Sequence, residues 1–434
     1  MAKSKSPISR RNFLKAASAV GVGSLLAPLE SLTDAYAKSD TNESQSKIVP
    51  TRPFGKTGVE VPILCLGSFL GRPSHLFLKQ ALNMGVSLWD TASDYAGGND
   101  EKTLGKYFAK FPEDRKKVFL LTKSSSQLAY KCYQQLDKSL ERMNTSHIDL
   151  FLIYSVTNAG YLMPPVQNFE LWADKAKSEG KIRFFGFSTH RNVEDNLIKA
   201  SKFGCIDGIM FSYNFRTMRS EKMKKAVDLC LKAGIGLIAM KTQALDYMGF
   251  LKKITPNENE QALFNQLAKK QLTFEQAKLK AVWDDHRIAS ITTVMPNMTI
   301  LQANVVAALN NKKLSLRDKQ LLDQYARQTA SNYCAGCASI CESQINREVP
   351  ISDVMRFLMY ARCYGELENA KSHFKELPFK VRERMAHIDY KKAEQKCPQR
   401  MDIGLYARSH DRIGLTDSSD GLLLKNYGAY RQTA

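Results

Sequence analysis

Four thiols stand out by their spacing. Cys334-Ala335-Gly336-Cys337-Ala338-Ser339-Ile340-Cys341 places three within eight residues, and Cys397 precedes Pro398 farther along the chain. Four thiolates suit a [4Fe–4S] cluster or zinc. The remaining cysteines of the nine are scattered. Cys65, Cys132, Cys205 and Cys230 fall in or beside apolar runs and read as small buried side chains, and Cys363 as a packed helix residue. An odd, uneven set points to a metal site more than to a disulfide framework. A second group could move protons: Asp90 and Tyr95 in Asp90-Thr91-Ala92-Ser93-Asp94-Tyr95, with Lys123 ending Leu120-Leu121-Thr122-Lys123. An ammonium held by a carboxylate favours a neighbouring phenolate. The expectation is a lowered Tyr95 pKa and a phenol able to protonate a carbonyl oxygen.

These residues need a scaffold that brings strand ends together. Short apolar strands are expected at Val61–Gly67, Ser87–Asp90, Val118–Thr122, Asp149–Tyr154, Phe184–Ser188, Gly208–Tyr213, Gly236–Met240 and Ile288–Val294. Amphipathic helices separate them, the last spanning 261–283. Eight strand–helix units make an α/β chain of the (β/α)8 TIM-barrel class, whose chemistry sits at the C-terminal strand ends, where Asp90 and Lys123 lie. Helices expected at Asp318–Thr329, Ile351–Ala361 and Glu366–Phe374 surround the cysteines, and no further barrel unit follows. The expected divisions are a leader over 1–37, a linker over 38–50, the barrel over 51–315, a cysteine module over 316–405 and a tail over 406–434.

The leader reads Ser9-Arg10-Arg11-Asn12-Phe13-Leu14-Lys15, then a weakly apolar stretch to Leu29 and the small-residue end Ala35-Tyr36-Ala37. It resembles the twin-arginine signal that carries folded proteins through the twin-arginine translocase, with cleavage expected near Ala37 and a periplasmic or extracytoplasmic destination. The apolar stretch is too short for a permanent membrane span. Removing five Lys/Arg and two Asp/Glu with the leader lowers the formal charge from +20 to about +17. That charge suits anionic partners, but the basic residues are dispersed and no nucleic-acid module is present, so no nucleic acid is expected.

From about 51 to 310 the chain resembles the aldo/keto reductases. The likeness rests on Phe54-Gly55-Lys56-Thr57-Gly58, Asp90, Tyr95, Glu101, Gly105, Lys123, Gly180-Lys181-Ile182-Arg183, Gly186-Phe187-Ser188-Thr189-His190 and Tyr213-Asn214. It implies a small carbonyl or alcohol substrate, Tyr95 as acid tuned by Lys123 and Asp90, and an NAD(P) cofactor. Where the family has a carbonyl-orienting histidine this chain has Tyr154, which either donates one hydrogen bond or fills the pocket floor. On the cofactor side Ser188 can face the nicotinamide amide, Met210 replaces a glutamine, Lys241 stands where it could meet an anion, and Asn297 lies in a loop that lacks the usual cation. These departures weaken the nicotinamide implication, for NADPH most of all.

Val349-Pro350-Ile351, Arg356-Phe357-Leu358-Met359-Tyr360 and Tyr364-Gly365 resemble the ferredoxin-like iron–sulfur module of exported members of that family. The resemblance implies one [4Fe–4S] cluster on Cys334, Cys337, Cys341 and Cys397, since Ile345 stands where a second cluster's ligand would be. The expected protein is an exported oxidoreductase with a cluster that passes electrons from a redox protein partner or serves structure. The alternative is a catalytically decayed barrel acting as a binding or scaffold protein.

Overall fold

The computed structural model describes residues 48–67, 73–245 and 258–409. The leader with Arg10, Arg11 and Ala37, the linker up to 47 and the tail from 410 lie outside the described residues.

A hairpin of β1 (Thr51–Pro53) and β2 (Glu60–Pro62) precedes eight parallel strands. These are β3 (Leu64–Leu66), β4 (Leu88–Asp90), β5 (Phe119–Ser124), β6 (Ile148–Ile153), β7 (Ile182–Thr189), β8 (Gly208–Ser212), β9 (Gly236–Met240) and β10 (Ser290–Thr293). They pair in sequence order and β10 closes the ring between β9 and β3. Side chains alternate along each strand, as the pleat requires. Leu121, Leu150, Leu152, Met210 and Ile238 share the inner core. Leu120, Phe151, Ile153, Phe185, Phe187, Ile209 and Leu237 pack outward under the helices.

Two local expectations change. The strand expected over Val61–Gly67 divides at Ile63, because the chain leaves the hairpin to enter the barrel. Phe54, in the hairpin turn, seals the barrel's lower end. A Cβ on Gly236 would lie 2.5 Å from its ring, so only glycine leaves room for this plug. The helix expected over 261–283 is two helices, Glu258–Ala268 and Phe274–Trp283. Gln271 takes a left-handed conformation between them, and Thr273 starts the second with a capping box to Gln276.

Beyond Thr293 the described residues contain helices and turns but no strand. The main helices of this region are Leu316–Gln328, Ile351–Cys363, Leu367–Glu376 and Phe379–His387. Ile351, Val354, Met355 and Leu358 recur at helical spacing and bury one face of the second helix against Phe374 and Met385. This corrects the ferredoxin-like expectation. The region is held by an apolar helical core that it shares with Phe215, Leu263 and Leu267 of the barrel.

The helical region lies over the C-terminal end of the barrel. Arg191, just past β7, donates to Glu342 and to Asp353, each at 2.6 Å. The Asn192 amide donates to the Gly336 carbonyl at 2.8 Å, and the Ser339 amide to the Asn192 side chain at 2.8 Å. A Cβ on Gly336 would fall 2.2 Å from the His190 carbonyl oxygen, so the cysteine loop sits directly on the barrel mouth.

Candidate active site at the barrel mouth

Asp90 ends β4 and Lys123 lies near the end of β5, neighbours in the ring, and both are buried. Their side chains form an ion pair. The Lys123 ammonium also donates to the Thr91 carbonyl at 2.8 Å and to the Tyr95 hydroxyl at 3.4 Å, and stands 4.8 Å from the Tyr95 ring centre. Tyr95 is carried by a turn in which Ala96, Gly97 and Gly98 all have positive φ. Arg142 fixes that turn, donating to the Ser93 carbonyl at 2.9 Å and to Glu101 at 3.1 Å. The three residues expected to work together therefore meet.

The acidity of Tyr95 runs against expectation. Burial, and then the nearby Tyr154 and Asp90, push its pKa well above the usual tyrosine value. Burial also raises Asp90, with Lys123 opposing. In this enclosure the ammonium orients the phenol without making it a stronger acid.

Tyr154 follows β6, its ring 6.1 Å from that of Tyr95 and 6.4 Å from that of His190. Burial, followed by Tyr360, raises its pKa as well. His190 Nδ1 lies 3.3 Å from the Ser212 hydroxyl, and burial together with Lys241 and Arg356 lowers its pKa, which keeps the ring neutral. Lys241 adopts φ 56° after β9, and its ammonium stands 5.0 Å from the Tyr360 ring centre.

Sequence reasoning missed Arg356 and Tyr360 as mouth residues. They occupy the face of Ile351–Cys363 that carries Asp353, at i+3 and i+7 from it. Arg356 donates to Asp353 at 3.0 Å, and both residues influence Tyr154. The helical spacing was the available signal, but only the packing shows that this face meets the barrel.

The remaining expected cofactor residues scatter. The Ser188 hydroxyl accepts the Ser155 amide at 2.9 Å. Met210 packs among the inner apolar residues. Asn297 is exposed and caps the Met298–Leu309 helix by accepting the Ile300 amide at 3.0 Å.

A family model described as "Aldo/keto reductase family" matches residues 74–306, more than half of the chain. The chain belongs to the aldo/keto reductase family. A second model, for the twin-arginine translocation pathway signal sequence, matches residues 7–27. Among curated relatives, "Uncharacterized oxidoreductase YrpG" of Bacillus subtilis (strain 168) is 27% identical over 45% of this chain and 67% of its own length. Aldo-keto reductase dtxS3 of Metarhizium robertsii is 23% identical over 37% of this chain and 52% of its own length, so the chain spans only about half of that relative. Two solved structures share the fold. Aldo-keto reductase AKR11C1 from Bacillus halodurans, in a holo form, has TM-score 0.51 and 20% identity, covering 64% of this chain and 96% of its own. The thermostable aldo-keto reductase Tm1743, in complex with the inhibitor epalrestat, has TM-score 0.51 and 23% identity, covering 64% and 99%.

The cluster expectation is overturned. Cys334 feels the charges of Cys337, Cys341 and Cys397, yet among the described residues no group of three or more His, Cys, Asp or Glu side chains comes together to hold a metal. Cys341 Sγ points instead toward the Cys337 and Ala338 carbonyls, each at 3.9 Å. Burial first of all keeps Cys334, Cys337 and Cys341 as thiols, raising Cys337 to about 11 and Cys341 to about 12. Without the cluster, the expected electron path to a redox protein partner loses its support.

Proposed function

We propose that this chain is an exported aldo/keto reductase-type oxidoreductase that acts on a small carbonyl or alcohol substrate, with Tyr95 exchanging a proton at the substrate oxygen. The observation that carries the reading is the buried Lys123 ammonium, paired with Asp90 and donating to the Tyr95 hydroxyl at the C-terminal end of the barrel. Asp90 holds the ammonium, the ammonium holds the phenol, and Tyr154 stands beside it with a second hydroxyl for the substrate oxygen. This intact arrangement favours an enzyme over a decayed scaffold. The twin-arginine match supports work outside the cytoplasm. Among the described residues no helix is long and apolar enough to cross a membrane.

The cofactor class implied by the family is a nicotinamide nucleotide, and AKR11C1 has a holo form. The residues at this mouth do not fit a nicotinamide ring as they are arranged. Met210 is turned into the core and the Asn214 amide is engaged by the Lys241 carbonyl and the Tyr333 hydroxyl. Arg356 and Tyr360 reach in from above, beside Tyr154. No hydride step is therefore assigned to these residues, whose own contribution is to bind, orient and move a proton.

Replacing Tyr95 with Phe removes one hydroxyl. With a small aldehyde and excess NADPH supplied as the hydride donor, turnover should fall by about 10²–10⁴, the scale of general-acid catalysis, while circular dichroism and Tm stay unchanged. Undiminished turnover would show that the chemistry lies elsewhere.

A further inference from the structure

Above His190 the mouth holds two basic side chains, Lys241 and Arg356, that the proton-transfer group does not use. Lys241 makes no hydrogen bond through its side-chain nitrogen among the described residues, and burial, followed by its neighbour Arg356, pushes its pKa well below the usual lysine value, so that a bound anion is what would hold it charged. Arg356 has a buried Nε with no partner. Its other nitrogens reach the Asp353 carboxylate at 3.0 Å, the Ser155 hydroxyl at 3.5 Å and the Tyr360 hydroxyl, which leaves Nε as the free donor. Lys241, Arg356, His190 and Ser212 all line the same ≈ 20 Å³ cavity.

The negative groups nearby are already engaged. Asp353 is shared between Arg191 and Arg356. Glu366 acts on Lys241 only through space; it accepts a hydrogen bond from Asn369 at 2.7 Å, and burial raises its carboxyl pKa. Cys334 is raised by burial and remains a thiol. A buried ammonium without a hydrogen-bond acceptor is unfavourable, and an anion in the cavity would supply one.

We infer that Lys241 from the barrel and Arg356 from the helical region, with the His190 ring and the Ser212 hydroxyl, form a binding subsite for a substrate carboxylate. The inference deepens the proposed function and rests on it for the identity of the substrate. The guanidinium matches a flat carboxylate, and the small cavity suits that group better than a phosphate with four oxygens. The Tyr154 ring stands between Tyr95 and His190, so the carboxylate and the carbonyl lie at opposite ends of the molecule. The substrate class is a short oxo acid with the two groups separated by several carbons.

Calorimetry on the full chain tests this with butanoate, its uncharged analogue butanamide, and inorganic phosphate. Butanoate should bind and butanamide should not. Lys241→Met and, separately, Arg356→Gln should each weaken butanoate binding by at least about tenfold. Lys241→Met replaces a poorly solvated amine by an apolar side chain and should fold, as circular dichroism will show; Arg356→Lys, which keeps the charge, should retain part of the binding. Tyr95→Phe should leave butanoate binding intact, so loss of the proton-transfer reading and loss of the carboxylate site are separable. Three results would each overturn the site: no butanoate binding to the wild-type chain, equal binding in Lys241→Met, or phosphate binding more tightly than butanoate.

Discussion

Lys123 stands 3.4 Å from the Tyr95 hydroxyl, yet burial sets the acidity of the phenol. A phenol with a raised pKa stays protonated through the neutral range, so as a proton donor it should not titrate away below about pH 10. A pH–rate profile for carbonyl reduction should show no alkaline loss between pH 6 and 9 that Tyr95→Phe abolishes; such a loss would mean the phenol is more acidic than its surroundings allow. Tyr154 permits a second comparison. Tyr154→His would restore the family's carbonyl-orienting group but leave Met210, Arg356 and Tyr360 in place. Calorimetry should therefore show NADPH binding weaker than micromolar in both forms, and tight binding by the wild-type chain would contradict the poor fit of the mouth. Asp90 and Lys123 were legible because each lies near a strand end, and Tyr95 because it follows Asp90 in the same short segment. The direction of the Tyr95 shift was not, because desolvation depends on what covers the phenol.

Among the elements, the Leu316–Gln328 helix shows how the chain turns from barrel to helical region. Ser315 caps it, accepting the Asp318 amide at 3.3 Å, and Asp318 accepts the Ser315 amide at 2.6 Å while pairing with Lys270. Burial alone would raise the Asp318 pKa, but Lys270 and the Ser315 amide outweigh it and the pKa is lowered. A depressed folded-state pKa contributes stability above the unfolded value of about 3.9, and that stability is lost as pH falls through the folded value. Asp318→Asn should destabilise the chain by about 1–3 kcal/mol near pH 7 in urea unfolding, with the difference from wild type shrinking as pH falls below about 4. A constant difference down to pH 2 would assign the effect to packing. The strands and most barrel helices were readable from apolar period. The hairpin of β1 and β2 was not, because its three-residue strands carry too little pattern to separate from the adjoining barrel strand.

At the scale of the whole molecule, one apolar core runs through both parts of the chain. Phe215, Leu263 and Leu267 are buried in the same cluster as Leu321, Val354 and Leu358. Placing a domain limit at 315 remains a proposal about sequence organisation; in packing, the barrel leans on the helical region. A chain ending at 315 would expose those three side chains, each worth about 1.5–3 kcal/mol when buried, against a typical total stability of about 5–15 kcal/mol. It should fail to give a soluble barrel with a cooperative thermal transition. A truncated chain melting at the full chain's Tm would show the barrel to be independent.

The sequence by itself determined the order of the eight strands, the placement of Asp90 and Lys123 at their C-terminal ends, and the leader. All three rest on local patterns: alternating apolar residues, turn residues and a short basic–apolar signal. Only the tertiary structure decided the fate of Cys334, Cys337, Cys341 and Cys397, because spacing along the chain does not say where four sulfurs point. It also decided that Arg356 and Tyr360 enter the barrel mouth beside Lys241. Those residues lie more than a hundred positions from Lys241, and a contact made by one helix face against a strand end depends on how two cores pack together, which no local period encodes.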